Sequence, residues 1–257
     1  MEMITDVRKI KTHPLGIFEL FGESWKYYST NFAKILLIIV CVYVPINTIV
    51  LLIPVHESLL EDPVRLAQLY ARIYQAFETW VGCIATVGIA AVVEGAVLGT
   101  TLSWGDAMRQ GFSRWASAVG TSIVSGFILL GLFLLLIVPG IIWSVYYTFW
   151  LYVVALRKIG GTTALAYSKN LVVGQWWRVL GVIIVIAIAD LITGLIVNIP
   201  FAFLPDNLIV NVLSNTTLDV ISGLFTVTSI MFFLNTDYLK KNVQSQNQSV
   251  DLISEAR

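Results

Sequence analysis

An all-α polytopic membrane protein with six transmembrane helices is the fold class predicted by this 257-residue sequence. Three observations predict it. Hydrophobic residues make up 57% and charged residues only 12%, where soluble domains carry roughly 25% charged residues. Mean hydropathy is +0.82, and apolar runs long enough to cross a hydrocarbon core of about 30 Å recur along the chain. The charges fall between those runs and gather on one side of them. With 16 Lys+Arg against 16 Asp+Glu the net charge is zero, so no global basic field points to nucleic acid as a partner.

The spans follow in order. Ile35 to Val55 carries no charge, and Thr79 to Gly105 carries only Glu94. Ala116 to Leu156 is an uncharged run of 41 residues broken by Pro139-Gly140, which reads as two spans and a turn. A fifth span runs from about Val179 to Pro200 around Asp190, and a sixth from about Asp219 to Tyr238, ahead of Lys240-Lys241. The N-terminal segment has neither an early apolar core nor a small-residue cleavage site, so the spans themselves are expected to direct insertion. Cys41 and Cys83 read as small packing residues, with no disulfide expected between them.

An even number of spans puts both termini on one side. That side collects Arg8, Lys9, Lys11, Lys26, Lys34, Arg109, Arg114, Arg157, Lys158, Lys169, Arg178, Lys240, Lys241 and Arg257, and the other receives only Arg65 and Arg72. Cations accumulate in cytoplasmic loops, so a plasma-membrane protein with both termini cytoplasmic is expected. The outer loops then carry Glu57, Glu61, Asp62, Glu78 and Asp206. Aromatic residues mark the boundaries, with Trp25, Trp104, Trp115, Trp176 and Trp177 expected inside and Trp80 and Trp143 outside. Trp25, Lys34, Trp115, Trp176, Trp177 and Arg178 are the expected interfacial anchors.

The chain repeats. Ser24 stands eight residues before Phe32, ten before Lys34 and 30 before Pro54; Ser168 stands eight before Trp176, ten before Arg178 and 32 before Pro200. A third copy anchors on Ala107, with Trp115 eight residues on and Pro139 at 32. Three units in one membrane domain are expected, at about 14–101, 102–157 and 161–241, with a polar cytoplasmic tail at 242–257. Each unit pairs an amphipathic segment with a helical hairpin. In the first segment Ile17, Phe21, Trp25, Tyr28 and Phe32 recur at helical spacing after Pro14. The second has Ser103 and Asp106 as a capping box, and the third opens after Gly160-Gly161 with Thr162 or Thr163 as cap. All three suit the plane of the inner headgroups. On the other side Asp62-Pro63 starts an amphipathic helix with Leu66, Leu69, Tyr70, Ile73, Tyr74, Phe77 and Trp80 on its apolar stripe, which either lies on the membrane or runs on into the second span.

Ionisable groups within spans are the best pointers to function, because a lone charge in hydrocarbon costs several kcal/mol unless neutralised, paired or hydrated. Glu94, Asp190 and Asp219 are the candidates. Glu94 and Asp190 sit at different depths and are not expected to form a dyad. Each either carries a proton or cation, or is held neutral by hydrogen bonds from a neighbouring helix. Gly95 and Gly99 make a GxxxG pattern, which predicts close helix packing. Asn47, Asn198 and Pro45 either open a polar path or satisfy one another. His13 and His56 fall on opposite sides of the membrane, so no His-based metal pair or triad forms, and no phosphate-binding or nucleophile-elbow motif occurs. No cofactor and no enzymatic activity are expected.

Leu15-Gly16-Ile17 through Glu23-Ser24-Trp25-Lys26 and Asn31-Phe32, with Ala166-Tyr167-Ser168 and Gly174-Gln175-Trp176-Trp177-Arg178-Val179-Leu180-Gly181, resembles the glycerophosphoryl diester phosphodiesterase membrane-domain family and its stand-alone bacterial relatives. The likeness covers nearly the whole chain on short, degenerate motifs. In larger members such a region precedes a phosphodiesterase barrel, and this chain reaches Arg257 without one, so the resemblance implies a membrane module and no phosphodiesterase activity. The leading expectation is a non-catalytic scaffold, accessory or immunity-type partner of a membrane complex or lipid-related process. The alternative is a small-molecule or lipid permease using Glu94 and Asp190. Implied partners are membrane lipids, and either another membrane protein or a further copy of this chain.

Overall fold

The computed structural model describes residues 10–54, 62–205 and 207–255, and among them every regular element is helical. Arg8, Lys9, His56, Glu57, Glu61, Asp206 and Arg257 lie outside the described residues. The helices are α1 (Ile17–Thr30), α2 (Phe32–Leu52), α3 (Pro63–Phe77), α4 (Cys83–Val97), α5 (Trp104–Leu135), α6 (Ile137–Tyr146), α7 (Trp150–Tyr152), α8 (Gly161–Val172), α9 (Trp176–Phe201) and α10 (Leu208–Glu255). Two π-helical turns, Glu78–Gly82 and Val153–Arg157, join α3 to α4 and extend α7. Six helical stretches are long and apolar enough to cross a membrane, as the sequence predicts.

The amphipathic helix that starts at Pro63 and the second span are one rod. Asp62 caps it, its carboxylate accepting from the N–H groups of Val64 and Arg65, both at 3.1 Å. From Pro63 to Val97 the rod is about 52 Å long at 1.5 Å per residue. Tyr70, Ile73, Tyr74 and Phe77 pack on the protein's own core, so this helix covers the bundle.

Several boundaries differ from expectation. The turn between the third and fourth spans falls at Leu136, in extended conformation (φ −159°, ψ 136°), and not at Pro139-Gly140. Pro139 sits in the first turn of α6, where its missing N–H costs nothing. The second interfacial segment is not separate: Ser103 caps α5 through Asp106 as predicted, but α5 then runs unbroken for 32 residues. Helix α8 is capped from outside, the Gly161 N–H donating to Thr121 Oγ on α5 at 2.7 Å, with no contribution from Thr162 or Thr163. The tail from residue 242 continues α10 as helix to Glu255.

The GxxxG pattern also has another use. Gly99 adopts φ +74° and ends α4, with Thr100 N–H returning to Gly95 O at 2.8 Å, so these glycines form a helix stop and not a packing seam. Close packing of α4 on α5 is made instead by Gly88 and Gly111, where a Cβ would press on the Ala107 and Ile84 carbonyls.

The core gathers on α10, which α1, α2, α4 and α9 contact. Helix α1 buries Leu20, Ser24, Tyr27 and Tyr28, while Phe18 and Trp25 stay exposed. It therefore has one buried and one exposed face, and the expected stripe runs across both. Helix α8 buries Ala164, Leu165, Ser168, Leu171 and Val172. Ser168 bridges the break after α6, accepting from Phe149 N–H at 3.0 Å and donating to Tyr146 O at 2.8 Å. Ser24, Ala107 and Ser168, the anchors of the expected repeat, are all 0% exposed.

Candidate functional site

Five of the six spans line a cavity of about 380 Å³. Three carboxylates line it: Glu78 from the first π-helical turn, Asp190 from α9 and Asp219 from α10. Each has a donor from a neighbouring helix. Tyr43 on α2 donates to Glu78 Oε1 at 2.8 Å, Asn47 Nδ2 to Asp219 Oδ2 at 2.8 Å, and Ser222 Oγ to Asp190 Oδ1 at 2.7 Å. Hydroxyls of Thr86, Tyr152, Thr226 and Ser229 complete the polar wall, and no Lys, Arg or His occurs among the described lining residues.

Local sequence explains the placement. The π-helical turn adds a residue to the helical repeat, which redirects Glu78 inward from the end of the α3 apolar stripe. Gly82 makes the room, since a Cβ there would stand 3.0 Å from the Glu78 carboxyl. Asn47 follows Pro45, which removes one backbone donor from α2 in this region, and its amide also reaches Thr216 Oγ at 3.2 Å. Asn198 meets Ser214 instead, at 3.4 Å.

A second, smaller chamber of about 190 Å³ shares Tyr152, Ile186, Asp190 and Ser229 with the first. Its remaining wall is mostly apolar, from Phe149, Phe232, Ile183 and Ala187 together with Thr148.

Glu94 is elsewhere. Its Oε1 accepts from Arg157 Nη1 at 2.6 Å, and the same guanidinium gives Nε and Nη2 to Asp237 Oδ2 at 3.0 and 2.8 Å. Lys241 Nζ approaches that oxygen at 2.9 Å, and Tyr167 donates its hydroxyl to Asp237 Oδ1. Two cations thus balance two anions around an aspartate that is 0% exposed. Burial and the hydrogen bond to Asp237 hold the Tyr167 phenol above its usual range, so it remains a donor. Arg157, assigned to a cytoplasmic loop from sequence, is drawn into the protein by the second π-helical turn. Glu94 is a structural ion-pair partner here, with no part in the cavity wall.

Asp219, expected at the start of the last span, lies well inside it because α10 begins at Leu208. Glu78, placed in an outer loop from sequence, is a cavity residue. Its signal was its position directly before the uncharged run at Thr79. Asp237, inside the predicted sixth span and three residues before Lys240-Lys241, is a buried ion-pair residue that the hydropathy pattern does not single out.

The expected anchors divide. Trp25 and Trp177 are exposed, at 59% and 79%, and Lys34 is half-buried in the first turn of α2. Trp115 donates its indole N–H to the backbone carbonyl of Trp80, so these two residues lie at one level and do not mark opposite boundaries. Likewise Trp176 donates to Ile142 O at 3.3 Å and Lys169 sits 4.5 Å over the Trp143 ring. The physical reason is the same: helices that continue through the expected boundary carry their aromatics along neighbouring helices. Arg178 is also committed to the protein, donating to Leu15 O and Asn235 Oδ1, both at 3.2 Å, and to Gln175 Oε1 at 2.9 Å. Asn235 in turn accepts from Leu15 N–H and donates to Ile10 O and His13 O.

Six apolar helices, five of them lining a polar, carboxylate-bearing chamber, define a multi-pass helical membrane protein. Residues 74–236, more than half of the chain and including all three cavity carboxylates, match the model of the family described as Domain of unknown function (DUF7847), and the chain belongs to that family. No curated protein and no solved structure matches it.

Proposed function

We propose that this membrane protein is a permease for a small cationic solute, bound by Asp190, Asp219 and Glu78. The observation that carries this reading is one chamber with three carboxylates and no basic side chain among its described lining residues. Ionised carboxylates sharing a low-dielectric space repel one another and lose hydration, and a bound cation offsets both costs. The accessory-partner reading draws support from the missing catalytic motifs but from no particular contact. A plasma-membrane location with both termini cytoplasmic is supported by the side preference of Lys and Arg. Descent from three repeated units is supported by the buried anchors Ser24, Ala107 and Ser168. Kinship with the glycerophosphoryl diester phosphodiesterase membrane domains is proposed on the two sequence motifs around Ser24 and Ser168.

The test is thermal unfolding of detergent-purified protein titrated with sodium, potassium, magnesium and methylammonium. Binding at a hundredfold excess over Kd stabilises by about 2.7 kcal/mol, a shift of several degrees. At least one of these cations should raise Tm in the wild type and not in the Asp190→Asn/Asp219→Asn variant. Uptake of that cation into proteoliposomes, abolished in the same variant, establishes transport. No shift with any of them, or an equal shift in the variant, overturns the reading.

A further inference from the structure

The two chambers differ in chemistry, and Asp190 belongs to both. On one side of it lies the acidic, hydroxyl-lined space. On the other lies the smaller chamber, where Phe149 and Phe232 pack at 5.5 Å between ring centroids and Ile183, Ile186 and Tyr152 add apolar wall. Phe149 and Phe232 are at most 2% exposed, so their position is set by the core and the chamber is preformed. Among its described lining residues Asp190 is the only ionisable group other than the Tyr152 phenol. An inorganic ion would leave this second space unused.

We infer that the solute is an amphipathic organic cation, an ammonium bearing an aromatic or branched apolar group. The ammonium sits at Asp190, facing the acidic chamber, and the apolar group enters the chamber beside Phe149 and Phe232. This rests on the permease reading above and deepens it. Preformed pockets with mostly apolar walls and a few placed polar groups are the usual form of small-molecule sites. An apolar cavity of about 150 Å³ accepts benzene, so a space of this order holds a single ring. Aromatic faces near a carboxylate also favour an organic cation over a hydrated metal ion, which cannot shed its water against an apolar wall.

The experiment measures binding to the full chain in nanodiscs by intrinsic tryptophan fluorescence, with four probes: potassium, tetramethylammonium, benzyltrimethylammonium and benzyl alcohol. Benzyltrimethylammonium should bind at least tenfold more tightly than tetramethylammonium, with potassium weaker than both and benzyl alcohol without saturable binding. Asp190→Asn should abolish this binding. Phe232→Leu and Ile183→Phe, the first enlarging and the second filling the chamber, should each remove the benzyl preference while keeping the tetramethylammonium affinity. Ile183 lies at a half-buried position, which keeps the test valid if Phe232→Leu fails to fold. Equal affinity for all three cations, dependent on Asp190, overturns this inference and leaves the permease reading standing. Binding of benzyl alcohol comparable to the cation overturns it as well. Absence of any cation binding removes both.

Discussion

Arg157 and Asp237, eighty positions apart, are joined by two hydrogen bonds from one guanidinium to one carboxylate oxygen, at 3.0 and 2.8 Å. The pair ties the fourth span to the sixth, and Glu94 brings in the second at 2.6 Å. Its members come from three helices that the sequence separates by long apolar runs.

Removing one partner of such a pair leaves the other buried and uncompensated, which costs about 3–5 kcal/mol. Arg157→Met is therefore expected to lower the Tm of the purified protein by many degrees. Glu94→Gln should cost less, because Asp237 keeps its guanidinium. It should also leave the cation response of the acidic cavity intact, since Glu94 does not line it. Parallel Tm scans with and without cation check both statements.

Asn235 uses its full amide, accepting from Leu15 N–H and Arg178 and donating to Ile10 O and His13 O. Asn235→Leu orphans several buried groups at about 1–3 kcal/mol each. The N-terminal segment should detach before the bundle melts. Limited trypsinolysis at Lys11 is expected to speed up at temperatures where tryptophan fluorescence still reports folded helices.

Glycine substitutions separate packing from stopping. Gly111→Ala drives a methyl into the Ile84 carbonyl and should strongly destabilise the α4–α5 contact. Gly120→Ala, on the same helix with nothing within 4 Å, should be neutral or slightly stabilising. Gly99→Ala should cost about 1 kcal/mol through its positive φ. Tm values for the three variants give the ranking.

Ser168→Ala removes the donor and acceptor that bridge the break between α6 and α7, leaving Phe149 N–H and Tyr146 O buried without a side-chain partner. A loss of about 1–3 kcal/mol is expected. Hydrogen exchange should show Phe149 N–H losing protection in the variant while α4 amides keep theirs.

The number and approximate limits of the spans, the Asp62 and Ser103 caps and the candidacy of Asp190 and Asp219 were legible from sequence, because each depends on local chemistry. Twenty apolar residues need lipid wherever they sit, a serine three residues before an aspartate caps a helix, and a carboxyl within a span needs a partner. Helix breaks were less legible. A π-helical turn leaves no compositional trace, so both Glu78 and Arg157 read as loop residues.

What the sequence by itself determined is the solvent this chain requires: burial in lipid follows from composition alone, since no arrangement of its helices could hide that much apolar surface from water. Only the tertiary structure decided which charges meet. Glu94 and Asp237 share Arg157, while Glu78, Asp190 and Asp219 came to share one chamber. Pairing energies depend on separations of a few ångströms between residues far apart in sequence, as in Arg157 and Asp237 at 2.8 Å. Those separations are set by how the helices cross, which hydropathy does not encode.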